Sequence, residues 1–161
     1  IICQKLGHKL NMNSVQLDEL YLIAKLHDIG KIALPDNILY KYTDLDSQEF
    51  EVIKTHTQIG YRIASESPDF RHIAYAILCH HENYDGSGYP HGLSGDAIPI
   101  LSRLIRIIDS YDVMVAGRPY KLAISKQEAI SELKACAGKQ YDPNLVKLFL
   151  EVIDEIQEQD V

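Results

Sequence analysis

Apolar residues recur at three- and four-residue spacing along nearly the whole chain, and no stretch of about four to eight residues alternates apolar and polar cleanly enough to read as a strand. An all-α domain is the fold this pattern allows. Asn13 and Ser14 are candidate caps for a helix that carries Leu17, Leu20, Ala24 and then His27/Asp28 on one stripe, ended by Gly30 and Pro35. A second helix is expected from Asp46 or Ser47 to about Ser65, with Val52, His56, Ile59 and Ile63 on its buried stripe. Pro68 and Asp69 open a third, whose Ile73, Ile77 and His80/His81 share a face before the turn-forming run Asp85 to Pro90, Gly92 and Gly95 stops it.

A fourth helix starts near Pro99 and turns Leu101, Ile105, Ile108 and Asp109 inward. Ser125 and Glu128 form a capping box for a fifth, closed by Gly138, and Asp142-Pro143 starts a sixth with Leu145, Leu148, Phe149, Val152 and Ile156 as its apolar face. No internal repeat, low-complexity segment or second domain interrupts residues 1–161, a length that buries about 70% of the unfolded chain's surface.

Composition narrows the partners. Sixteen Lys plus Arg stand against 23 Asp plus Glu, a formal charge of −7, and no basic run is present, which argues against polymeric nucleic acid. No apolar stretch reaches the ~18 residues of a membrane span, and the first ten residues lack the pattern of a secretory signal. A cytoplasmic domain with no membrane contact is expected. Cys3, Cys79 and Cys136 are odd in number and far apart, which suggests reduced thiols, with Cys79 in a packing role.

The chemistry gathers at helix ends and inward faces: His27 with Asp28, His56, His80 with His81, and Asp109. Imidazoles mixed with carboxylates suit iron, manganese or zinc better than magnesium or calcium. Six candidate ligands are too many for one four-coordinate ion with an open position and suit two ions sharing a carboxylate. A single His on an apolar stripe is more often a hydrogen-bonded core residue; the joint placement on inward faces is what favours metal, because an unpartnered polar group there costs a few kcal/mol. His8, His72 and His91 fall off these faces and read as solvated, as does the acidic run Glu151 to Asp160.

HDIGK (His27 to Lys31), HHENYDGSGYP (His80 to Pro90) and DSYD…RPYK (Asp109 to Lys121) closely resemble the HD-GYP branch of the HD phosphohydrolases. The resemblance runs from residue 1 to about 155 and takes in the KTH segment at His56 and Gln140 to Pro143. It implies an HD-domain bundle of about six to seven helices with a GYP loop. It also implies a centre of two or three divalent ions, iron or manganese, that hydrolyses cyclic di-GMP to linear pGpG or GMP. By position, His27, Asp28, His56, His80, His81 and Asp109 resemble metal ligands, with Asp28 as the bridging carboxylate. Lys31 resembles the lysine that reaches the scissile phosphate, Tyr89 a ligand-facing residue, and Arg118 and Lys121 cationic contacts to the dinucleotide; Asp112, one turn after Asp109, points to the same centre.

The same resemblance implies docking of a GGDEF-type or other signalling protein on the GYP loop. It leaves a 3′3′-cyclic GMP-AMP phosphodiesterase and a non-hydrolysing sensor as alternatives, and the oligomeric state open. The family's further upstream His would fall before Ile1, since His8 lies too close to His27 to take that place. With its non-Met start, the sequence reads as an N-terminally truncated fragment that follows a regulatory domain.

Overall fold

The computed structural model describes residues 1–41, 43–117 and 122–159, the last three as backbone alone. Among these residues there are eight α-helices and no strand, so the all-α expectation holds. The helices are α1 (Ile2–Lys9), α2 (Ser14–Leu26), α3 (Asp36–Leu39), α4 (Ser47–Glu66), α5 (Ala74–Leu78), α6 (Ile100–Ala116), α7 (Lys126–Ala135) and α8 (Pro143–Gln159). Three 3-10 turns, Ile29–Ala33, Arg71–Ile73 and Gly95–Ala97, join them.

Local chemistry sets the helix starts. Asn13 with Gln16, Asp46 with Glu49 and Ser125 with Glu128 each form a reciprocal capping box. Asp142 accepts from the Asn144 and Leu145 amides at the head of α8, and its other oxygen takes the Arg103 guanidinium at 2.8 Å. Leu20, Ile23, Ile77, Leu104, Ile107, Leu133 and Phe149 fill the core and tie α2, α5, α6, α7 and α8 into one unit.

Three expectations shift. The helix count rises because α1 is complete and because residues Asp36–Leu39, expected as loop, close one helical turn after Pro35. The third helix is not continuous from Pro68 to the His pair: a 3-10 turn leads into the five-residue α5, and His80 and His81 lie beyond its end. That break lets both rings reach one place, whereas neighbours on a helix project about 100° apart. On α4 the buried side is His56, Thr57, Gly60 and Ala64, with Ile63 left 41% exposed. Small residues replace the expected bulky ones because other elements approach α4 at backbone distance.

Gly30 is the counterpart of that approach and is buried inside a 3-10 turn, rather than serving as a helix cap. A Cβ on Gly30 would stand 1.9 Å from the His56 carbonyl oxygen and 2.6 Å from the Gly60 amide. The turn that follows α2 therefore lies directly on the α4 backbone. Replacing Gly30 with Ala should force the two apart and destabilise the fold by about 3 kcal/mol or more, the upper part of the overpacking range. Urea denaturation reads this directly; an unchanged midpoint would contradict the packing described.

Candidate metal centre

Four elements deliver the polar side chains. His27 is the C-terminal cap of α2 and Asp28 follows it; His56 comes from the middle of α4, His80 and His81 from the turn after α5, and Asp109 from α6. One ligand atom from each of Asp28, His56, His80 and His81 lies within 4.8 Å of the others. His27 joins them through Asp28 and Asp109, its Nε2 standing 3.6 Å and 3.7 Å from their carboxylate oxygens.

The proton inventory decides what the cluster can hold. His56 Nδ1 donates to the Ile53 carbonyl and His80 Nδ1 to the Ile77 carbonyl, each at 2.6 Å, and His27 Nδ1 donates to Ile23 and Ala24. A carbonyl only accepts, so each Nδ1 carries the hydrogen and each neutral ring keeps a lone pair at Nε2. His56 Nε2 and His80 Nε2 nevertheless face each other at 3.3 Å, with Asp28 Oδ1 at 3.4 Å and 3.8 Å from them. His27 Nε2 and Asp28 Oδ1 are buried without a hydrogen-bond partner. At His56, His80 and Asp28 electron-pair donors converge with no proton between them, the arrangement a cation completes, and backbone-held imidazoles are the usual support for such a site.

Burial pushes His80 down to about 3, and burial with the neighbouring His80 ring and Arg106 holds His81 well below its usual value. Both rings are therefore neutral at physiological pH. Burial would raise the Asp28 carboxyl, but the Lys31 ammonium and His27 outweigh it and hold the group below the ordinary carboxylate value. His27 goes the other way: burial opposes its charged form, yet the Asp109 and Asp28 carboxylates prevail and raise it.

Asp28 faces both halves of the cluster. Its Oδ1 looks toward His56 and His80, and its Oδ2 toward His27 and Lys31, whose ammonium is 2.5 Å away. Tyr89 covers the far side, its ring stacked on His81 with centroids 5.0 Å apart. Gly88 permits this, since a Cβ there would stand 2.2 Å from the Asn83 amide nitrogen. Asp112 is exposed and shares a pocket with His27 and Asp109. Arg118 and Lys121 lie outside the described residues. His8, His72 and His91 are exposed and Cys79 is buried, as expected.

Two contributors escaped the sequence reading. Glu82 is 2% exposed and accepts from the His91 and Leu93 amides at 2.7 Å and 3.0 Å, which closes the GYP loop on itself. Arg106 reaches Asn83 at 3.0 Å and lies 3.4 Å from His81, so α6 also braces that loop. The one available signal for Arg106 was its position three residues before Asp109, on the same helix face.

The sequence profile of the HD domain matches residues 1–145. The chain belongs to the HD domain family. The HDIGK and HHENYDGSGYP runs set it in the HD-GYP branch. Over 154 residues it is 44% identical to a cyclic di-GMP phosphodiesterase of Thermotoga maritima, covering 94% of this chain and 42% of that one. Over 157 residues it is 38% identical to the 3′3′-cGAMP-specific phosphodiesterase 2 of Vibrio cholerae, covering 96% and 30%. The chain thus spans less than half the length of either relative. The solved structure of an HDG"Y"P protein from Bdellovibrio bacteriovorus shares the fold, with a TM-score of 0.75 at 20% identity over 95% of this chain and 49% of that one.

Because His27 holds a raised pKa and must be neutral to give its lone pair to a cation, metal uptake by this HD domain should release a proton below that pKa. Apparent affinity for Mn²⁺ should rise with pH and level off once His27 is neutral. Calorimetric titration in buffers of different ionisation enthalpy measures the release. Release that persists unchanged in His27→Gln would contradict the assignment to His27.

Proposed function

We propose that this domain is a metal-dependent phosphodiesterase that hydrolyses cyclic di-GMP to linear pGpG or GMP, with a cytoplasmic location. The observation that carries the reading is the cluster of facing lone pairs on His56, His80 and Asp28, which a divalent ion fits and a hydrogen bond does not. In this reading His27, Asp28, His56, His80, His81 and Asp109 would hold the ions, with Asp28 as the shared carboxylate. Mixed imidazole and carboxylate donors favour iron or manganese. Ions bound there supply Lewis acidity and a nucleophile at neutral pH.

The remaining residues bind and orient. Lys31, tied to Asp28 in this structure and partly exposed, turns its ammonium toward a phosphate oxygen and offsets charge that develops there. Tyr89 holds the His81 ring by stacking, and burial raises its phenol pKa, so its hydroxyl stays protonated as a donor. Asp112 positions water or ligand beside His27 and Asp109. Arg118 and Lys121, which follow the C-cap Gly117 of the helix that carries Asp109, meet the dinucleotide as the resemblance implies; a guanidinium fork suits a phosphate or a guanine edge. Hydrolysis adds water across a P–O3′ bond, leaving a 5′-phosphate and a free 3′-hydroxyl.

The Vibrio cholerae relative supports 3′3′-cyclic GMP-AMP as the second substrate reading. A decayed sensor would have lost ligand-type residues, and all six positions keep theirs.

The test uses the full protein, purified anaerobically and loaded with manganese or iron, with cyclic di-GMP and cyclic GMP-AMP offered separately. His80→Ala and Asp28→Ala should each abolish turnover, whereas Arg118→Ala should raise KM and leave metal content unchanged. Turnover retained in either of the first two variants defeats the proposal.

A further inference from the structure

Phe50 lies on α4 before His56, points away from the core and is 46% exposed. Its ring meets Tyr89 edge to face, with centroids 6.5 Å apart at 80°. Tyr89 in turn stacks on His81 at 23°. One turn beyond Phe50 on the same helix, Lys54 holds its ammonium 4.9 Å from the Phe50 centroid and 5.5 Å from that of Tyr89. A 2.6 Å contact with Glu51 steadies it there.

An isolated exposed phenylalanine needs no explanation. This one is two ring contacts from the candidate metal centre, at the outer end of a line of aromatic faces, and carries a cation at its side in a chain of net charge −7. The fold does not use the Phe50 ring as core, and neither Phe50 nor Lys54 has a part in the reaction as described above.

We propose that Phe50 and Lys54, together with Tyr89, form the seat for one purine base of the substrate, and that Lys54 makes this seat prefer guanine over adenine. The proposal rests on the phosphodiesterase reading and adds to it the residues that choose the base. A nucleotide whose phosphate lies at the His/Asp centre extends its base outward over the span that Tyr89 and Phe50 occupy. Every base has a π-face that an aromatic side chain can stack on. Guanine presents O6 and N7 as acceptors on one edge, whereas adenine replaces O6 with an amino donor. An ammonium only donates. Lys54 gives one hydrogen to Glu51 and has others to offer, so it matches guanine at both atoms and meets adenine's amino group with like polarity.

Two readouts test the seat. In steady-state hydrolysis of cyclic di-GMP by the full metal-loaded protein, Phe50→Ala should raise KM about tenfold, the ~1.4 kcal/mol near the low end of base–aromatic stacking. Metal content and kcat should stay at the wild-type level, and Phe50→Trp should restore KM. In calorimetric binding of GMP and AMP, which needs no turnover, Lys54→Met should cut the preference for GMP several-fold. An unchanged KM, a parallel fall in kcat or metal content, failure of Trp to restore, or an unchanged GMP preference would each overturn the seat. Wild-type protein that binds GMP through Phe50 and Lys54 without hydrolysing cyclic di-GMP would defeat the phosphodiesterase reading instead.

Discussion

The backbone contact between Gly30 and the His56–Gly60 turn of α4 is the constraint on which the centre depends. Without side chains at Gly30 and Gly60, the segment after α2 lies against α4 closely enough for Asp28 to face His56. The same face of α4 admits Ile77 against Gly60, so α5 is held where its following turn can bring His80 to the same point. Three segments far apart in sequence thus meet at one carboxylate. Any bulk between them would separate the donors before it touched a donor itself.

That meeting is electrostatically unfavourable unless a cation enters. Lone pairs on His56 and His80 face each other because their other ring nitrogens are committed to backbone carbonyls in the turns just before them. The rings cannot relieve the contact by exchanging tautomers without losing those bonds. In the structure Lys31 supplies positive charge to one side of Asp28, and the raised pKa of His27 reflects the same demand. Divalent charge would answer it fully. It would also reconcile an acidic chain with the anionic substrate proposed for it, because the positive potential would belong to the centre rather than to the surface.

Much of this was legible in the sequence, for identifiable reasons. The Ser125–Glu128 capping box marks a helix start by local chemistry alone and forms as expected, while Asn13 and Asp46, expected only at helix starts, close boxes with Gln16 and Glu49 as well. The six ligand-type residues stood out because polar groups on inward faces need a partner. What stayed hidden is non-local. Gly30 looks like a helix stop until the α4 backbone is beside it, and Ile63 fits the apolar period of α4 although small residues win that face. The helix ending before His80 gives no periodic signal over so few residues. Glu82, Arg106 and the Phe50–Lys54 pair depend on where the GYP loop folds back, which turn chemistry alone does not specify.

The most direct measurement is X-ray absorption at the metal edge of manganese-loaded full protein. A first shell mixing imidazole nitrogen with oxygen, lost in His56→Ala, is the predicted result. An all-oxygen shell, or one unaffected by that substitution, would contradict the claim that these facing imidazoles and Asp28 exist to hold an ion.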